Sequence, residues 1–154
     1  MHGAHLSYDR GVDLDEAREF VRRHHRAILG TYRRDGTVQL SPLLASVDDE
    51  DRIEISSNAG KAKVRNLERD PRAALLVMTE KFFERRWIQI DGTAELVPLP
   101  DAADALVAYE HRMAGDRELA GDDELRRQHA ESNAVLVLIM PNRVGPKGAT
   151  LDLA

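Results

Sequence analysis

Apolar residues fall at helical spacing between positions 13 and 25, where Leu14, Ala17, Val21 and His24 line up with Phe20 beside them. That period predicts a helix, with Asp13 placed to cap its first free amides. Ala27 to Tyr32 reads as a strand. Arg34-Asp35-Gly36 turns it into a second strand, Thr37 to Val47, because an Asp-Gly pair supplies the positive backbone angles of a tight hairpin. The acidic turn Asp48-Asp49-Glu50-Asp51 leads into Arg52-Ile53-Glu54-Ile55-Ser56, which alternates cleanly. A helix with Val64 and Leu67 on its apolar side follows, and Asp70-Pro71 stops it.

Arg72 to Thr79 is an almost unbroken apolar run, the pattern of a strand buried on both faces. From Arg86 to Val97 the alternation returns: Ile88, Ile90, Ala94 and Leu96 share one face, Trp87, Gln89, Asp91 and Thr93 the other. Gly92 interrupts that strand and predicts a bulge or a close backbone approach. Asp101 opens a helix carrying Leu106, Tyr109 and Met113, a charged segment covers 115–131, and Ala134 to Met140 is an apolar strand closed by Pro141. Five or six strands joined mostly by hairpins, with helices between them, predict an antiparallel barrel with peripheral helices. A doubly wound parallel sheet does not fit this order.

Composition narrows the function classes. The 154 residues suit one domain, 1–154, with 1–10 expected to be disordered. A net charge of −5 argues against a nucleic-acid binder, so the basic cluster at 61–72 suits a small anion. There is no cysteine, hence no disulfide, thiolate metal site or cysteine nucleophile. The start, Met1-His2-Gly3-Ala4-His5, lacks the apolar core of a signal peptide, and no apolar run reaches membrane-spanning length. A cytoplasmic protein is the expectation. The histidines form no metal site: His24 and His25 are adjacent and point about 100 degrees apart on a helix. The acidic turn at 48–51 lacks a calcium loop's glycine and spacing. No Ser-His-Asp arrangement or paired-carboxylate signature stands out.

The segment Ser56-Ser57-Asn58-Ala59-Gly60-Lys61-Ala62-Lys63-Val64-Arg65-Asn66-Leu67 carries the most chemistry. A helix N-terminus has partial positive charge, so Lys61 and Lys63 are misplaced there unless an anion sits between them and the free amides. A solvated basic turn fits the local pattern equally well. Arg65 turns away from Lys63 by about 160 degrees on a helix and suits a nearby carboxylate as well as a ligand. Pro42 must lie at an edge, a bulge or a ligand-facing stretch, since it has no amide for a ladder. Trp87, the only tryptophan, stands opposite the Ile88/Ile90 face and so suits a pocket or a subunit contact.

Three stretches together resemble the flavin-binding split β-barrel superfamily, which includes the pyridoxamine 5'-phosphate oxidases and the coenzyme F420 (deazaflavin) dependent reductases. They are Ser56 to Leu76, Arg86-Trp87-Ile88-Gln89-Ile90-Asp91-Gly92-Thr93-Ala94 and Gln39-Leu40-Ser41-Pro42. The resemblance spans about 13–145 and implies a mostly antiparallel, α+β fold: a six-stranded split β-barrel with peripheral helices. It implies that Lys61 and Lys63 hold the cofactor phosphate, with Ser56, Ser57 and Asn66 in the same segment. It also implies that Ser41, Pro42 and Trp87 border the ring, and that two chains complete each site as a homodimer. The second strand lacks the Arg and Lys of the pyridoxamine phosphate oxidases, Trp87 stands where they carry glutamine, and the Gly148–Ala154 tail lacks their Arg-Leu-x-Pro type ending. Vitamin B6 oxidation is therefore not expected. The pattern is closer to the F420-dependent reductases and implies hydride transfer between coenzyme F420 and a conjugated small-molecule substrate. No side chain is an obvious proton donor. The alternatives are an FMN-binding oxidoreductase of the same fold, or a barrel that holds flavin or haem without turnover, with His24 or His111 as axial ligand.

Overall fold

The computed structural model describes residues 13–81 and 86–145. Helix α1 (Leu14–Arg23) is capped by Asp13, whose Oδ1 accepts from the Glu16 amide at 2.9 Å. The strands are β1 (Arg26–Tyr32), β2 (Val38–Leu44), β3 (Ser46–Val47), β4 (Ile53–Asn58), β5 (Arg72–Met78), β6 (Trp87–Pro98) and β7 (Ala134–Gly145). Helix α2 (Ala62–Arg69) joins β4 to β5, while α3 (Ala103–Ala114) and α4 (Asp122–Ser132) join β6 to β7. All seven strands form one antiparallel sheet in the order β2-β1-β5-β6-β7-β4-β3.

The sheet curls around a core of Leu29, Ile53, Ile55, Leu75, Ile88, Ile90 and Ile139, closed by Ala17, Phe20 and Val21 of α1. β2 is an end strand and pairs with β1 alone, and β4 carries only the two-residue β3 beyond it, so the barrel is split between these edges. Among the described residues the strand count is seven rather than six. The expected single strand from Thr37 to Val47 breaks at Ala45, where the chain leaves β1 and reaches β4 as β3.

Two apolar runs that read alike have different surroundings. In β7, Val137 and Ile139 enter the main core, while Ala134, Leu136 and Leu138 pack under Leu106 of α3, so both faces are buried. In β5 only Ala73, Leu75 and Val77 are buried, and Ala74, Leu76 and Met78 stay half-buried on an uncovered outer face. The expectation of burial on both faces of β5 fails because none of the described helices covers that side. β7 also runs on through Pro141, which lies opposite Gly92 where the β6–β7 register shifts. A bulge tolerates the missing proline amide. A Cβ at Gly92 would lie 2.5 Å from the Met140 carbonyl oxygen, so the predicted close approach is real. Asp101 does not cap α3; Ala102 stands at its N-cap position and makes no side-chain cap bond. The charged segment after it contains α4, held by clusters such as Arg127 with Glu124 and Glu131. The expected disorder at 1–10 and the Gly148–Ala154 tail lie outside the described residues.

Candidate functional site at the split

The backbone of the split follows from the register. Ala45 N–H donates to the His25 carbonyl and Arg33 N–H to that of Thr37. Alternate residues in an antiparallel pair exchange both bonds, so Gln39, Ser41 and Leu43 bond to β1, while Leu40, Pro42 and Leu44 turn their backbone groups outward. Pro42 thus costs no ladder bond. On the opposite edge, Asp48 N–H donates to the Arg52 carbonyl, which makes Ser46 and Glu54 a bonded pair. Ser56, two residues further, turns its backbone to the same side beyond the end of β3. Two strand edges with open polar groups therefore flank one slit.

Tyr109 of α3 spans one end of this slit. Its hydroxyl donates to the Leu44 carbonyl at 2.9 Å, and the Ser56 amide faces it. Burial pushes the phenol up to about 12, with the Ser56 amide acting against that rise. One turn later, Arg112 makes a two-pronged contact with Glu54, Nε to Oε2 at 2.6 Å and Nη2 to Oε1 at 3.0 Å. Glu54 is wholly buried. The clean alternation of Arg52 to Ser56 offered no sign of this pair, because its partner lies 58 residues away on a helix. Tyr109 was legible as an apolar position, but not as a tie between edges.

At the other side of the slit, α2 begins without a cap. Lys61 occupies the N-cap position, makes no side-chain cap bond, and no acidic residue lies in the first turn. Lys61, Lys63 and Arg65 have no carboxylate within 4.0 Å among the described residues, whereas Arg22, Arg52, Arg72, Arg112, Arg126 and Arg143 all have one. Burial, and then the charge of Lys61, hold the Lys63 ammonium below the usual lysine value. Just upstream, the Ser57 hydroxyl is buried without a hydrogen-bond partner. An orphaned buried hydroxyl costs about 1–3 kcal/mol, so its persistence suits a ligand acceptor or donor at this point.

The remaining candidates divide. Ser41 is buried on the inner face of β2, and Pro42 is exposed on its outer face. Ser56 lies on the opposite face of β4 from Ser57. Asn66 is buried and engaged within the fold: Nδ2 donates to Thr31 Oγ1 and to Gln39 Oε1, each at 3.1 Å, and Oδ1 accepts from Arg69 at 2.9 Å. Trp87 pairs with Met78 on the outer sheet face, level with Arg26. That position is five residues along from Thr31, roughly 17 Å from the α2 end of the sheet. Lys61, Lys63 and Ser57 share one end of the slit, and Trp87 of the same chain does not join them.

The sequence profile of the pyridoxamine 5'-phosphate oxidase family matches residues 14–145. The chain belongs to that family. Its split barrel is shared with solved proteins of differing description. A conserved hypothetical protein from Mycobacterium tuberculosis is 25% identical, with TM-score 0.71 over 88% of this chain and 84% of that one. An F420 reductase is 22% identical, with TM-score 0.64 over 82% of this chain and 94% of its own. The heme storage protein HutZ from Vibrio cholerae is 18% identical, with TM-score 0.64 over 88% and 94%. The fold is thus shared by a reductase and a storage protein, and the fold alone does not choose between turnover and holding. None of the helices among the described residues is long and apolar enough to cross a membrane.

Proposed function

We propose that this protein is a homodimeric oxidoreductase that takes a hydride from reduced coenzyme F420 and delivers it to a conjugated small-molecule substrate. The observation that carries the reading is the α2 start: two lysines without acid partners beside a buried, unpartnered Ser57 hydroxyl. That donor set suits the phosphate of a flavin-type cofactor, with open helix amides completing it. When bound, the reduced deazaflavin supplies the hydride. Lys61 and Lys63 hold the phosphate, and Ser57 offers its hydroxyl. The open edge of β2 at Leu40 and Pro42 presents backbone groups and a flat apolar surface to the ring, and Ser41 lines the strand from within. Asn66 fixes the height of α2 against β1 and β2 rather than contacting the ligand. Tyr109 sets the width of the slit by tying Leu44 to α3. A cytoplasmic location accompanies this reading.

FMN would satisfy the same phosphate grip. The preference for F420 rests on β2, which presents Leu40, Pro42 and Leu43 rather than basic side chains, and on the indole of Trp87 in place of an amide able to donate to a flavin carbonyl. The storage reading has less behind it: the His24 ring lies tilted against Phe20, centroids 4.6 Å apart, with Nδ1 3.5 Å from Glu80, and His111 is paired with Asp122 at 2.9 Å.

The dimer is supported by the outer face of β2, where Val38, Leu40 and Leu44 are 47%, 67% and 45% exposed. This patch continues across the half-buried Ile28, Leu76 and Met78 on β1 and β5, and contiguous apolar surface of this kind marks a site of association. A second copy on this face brings its Trp87 toward the first copy's slit. Light scattering during size exclusion at micromolar concentration is expected to give twice the 17.3 kDa chain mass, and the monomer mass would contradict the dimer. Turnover is tested by mixing the protein with reduced F420 and a panel of quinones, enones and tetrapyrroles. Reoxidation of the deazaflavin faster than without protein is expected, and no acceleration with any acceptor would count against catalysis.

A further inference from the structure

We propose that the cavity walled by Trp87 binds a planar, largely apolar molecule bearing one carboxylate, and that Arg26 recognises the charge. The assignment of this molecule as the substrate rests on the reading above; its binding does not. The cavity encloses about 810 Å³, within the range of small-molecule sites. Its lining joins Leu76, Met78 and Trp87 to Arg26, Thr79, Glu80, Arg86 and Gln89, and of the two arginines Arg86 is already engaged. The register explains the assembly. Arg26 lies between Leu44 of β2 and Met78 of β5, Met78 lies opposite Trp87, and Leu76 lies opposite Gln89. All of these residues fall on the uncovered outer face, so the cavity adjoins the β2 edge through Leu44.

Arg26 is the anomaly in this apolar row. It is exposed and has no carboxylate within 4.0 Å among the described residues. The nearby acids lie away from it: Asp91 binds Arg143 at 2.6 Å, and Glu80, at the cavity wall, lies 3.5 Å from His24 Nδ1 and more than 4.0 Å from the guanidinium. A guanidinium presents paired donors that match a carboxylate, so a ligand acid is the partner this position lacks. An indole wall adds stacking for a flat ring. A second copy that laid only its apolar strand residues here would leave the guanidinium desolvated and unpaired.

Trp87 is the chain's only tryptophan, so its emission reports occupancy without cofactor or turnover. Full-length protein is titrated with 4-nitrobenzoate and, separately, with neutral 4-nitrotoluene, exciting the indole selectively. Saturable quenching is expected for both, with the carboxylate bound more tightly. Arg26→Gln should weaken 4-nitrobenzoate about 10-fold or more and leave 4-nitrotoluene unchanged, while Arg26→Lys should restore part of the difference. Arg127→Gln, at an exposed position of α4, should leave both titrations as in the parent, which separates Arg26 from a general loss of positive charge, and neither probe needs the cofactor to bind. Equal affinity for the two probes, or an Arg26→Gln variant that binds both like the parent, would overturn the assignment. Absence of saturable quenching would overturn it too.

Discussion

Lys63→Ala is expected to weaken cofactor binding about 30-fold, the loss of one charge-assisted contact of about 2 kcal/mol. Lys63 is chosen over Lys61 because it is the more buried of the two and has no competing acid partner. Lys61→Ala should follow the same trend. The sign of the pH dependence follows from the depressed lysine. In the folded protein Lys63 releases its proton at lower pH than a free lysine, because burial and the Lys61 charge disfavour the ammonium. Its charged form therefore opposes folding at neutral pH, and that cost fades as pH rises through the lowered folded value toward the ordinary one. An anion at the same place reverses the balance, so affinity should decline on the alkaline side earlier than an ordinary lysine would dictate. The Lys63→Ala variant should show a flatter alkaline profile. Fluorescence titration of each variant across alkaline pH checks both statements. Parent-like affinity in both single variants would end the anion-grip reading.

The largest effect on stability is expected at the other end of the slit. Arg112→Met keeps much of the side-chain stem but leaves the Glu54 carboxylate wholly buried with neither of its two Arg112 contacts. Breaking such a pair from one side costs about 3 kcal/mol, because the remaining charge loses its compensation while staying desolvated. Urea unfolding should show a clearly lowered midpoint with an unchanged slope. Adding Glu54→Gln to Arg112→Met should recover part of the loss, since an uncharged amide is cheaper to bury. Arg112 and Tyr109 lie three residues apart on α3, so they face the same strand. The single variant should thus also loosen the tie between Leu44 and α3. A change under about 0.5 kcal/mol would mean that the pair is solvated enough to be dispensable.

Much of this fold is carried by short-range pattern, and its exceptions have identifiable causes. The Asp13 cap, the Arg34-Asp35-Gly36 hairpin and the close approach at Gly92 depend on local chemistry, so adjacent residues announce them. What covers a strand is not local. β5 and β7 carry similar apolar runs, yet only β7 receives a helix on its second face, and no residue within either run encodes that difference. Pro141 reads as a stop because its tolerance depends on how β7 pairs with β6: the register shifts beside it and leaves Asn142 of β7 as the extra residue. The site divides in the same way. Lys61 and Lys63 are conspicuous because they contradict the helix dipole, whereas the orphaned Ser57 hydroxyl emerges only from packing. Trp87 was legible as an outward residue, but its distance from the lysines of its own chain depends on the strand register.

The most direct measurement is a paired fluorescence titration of the purified protein with coenzyme F420 and with FMN under one buffer condition. Tighter binding of F420, lost in step in Lys61→Ala and Lys63→Ala, is the predicted result. Tight FMN binding with no measurable affinity for F420 would contradict it and make this an FMN-dependent protein of the same fold.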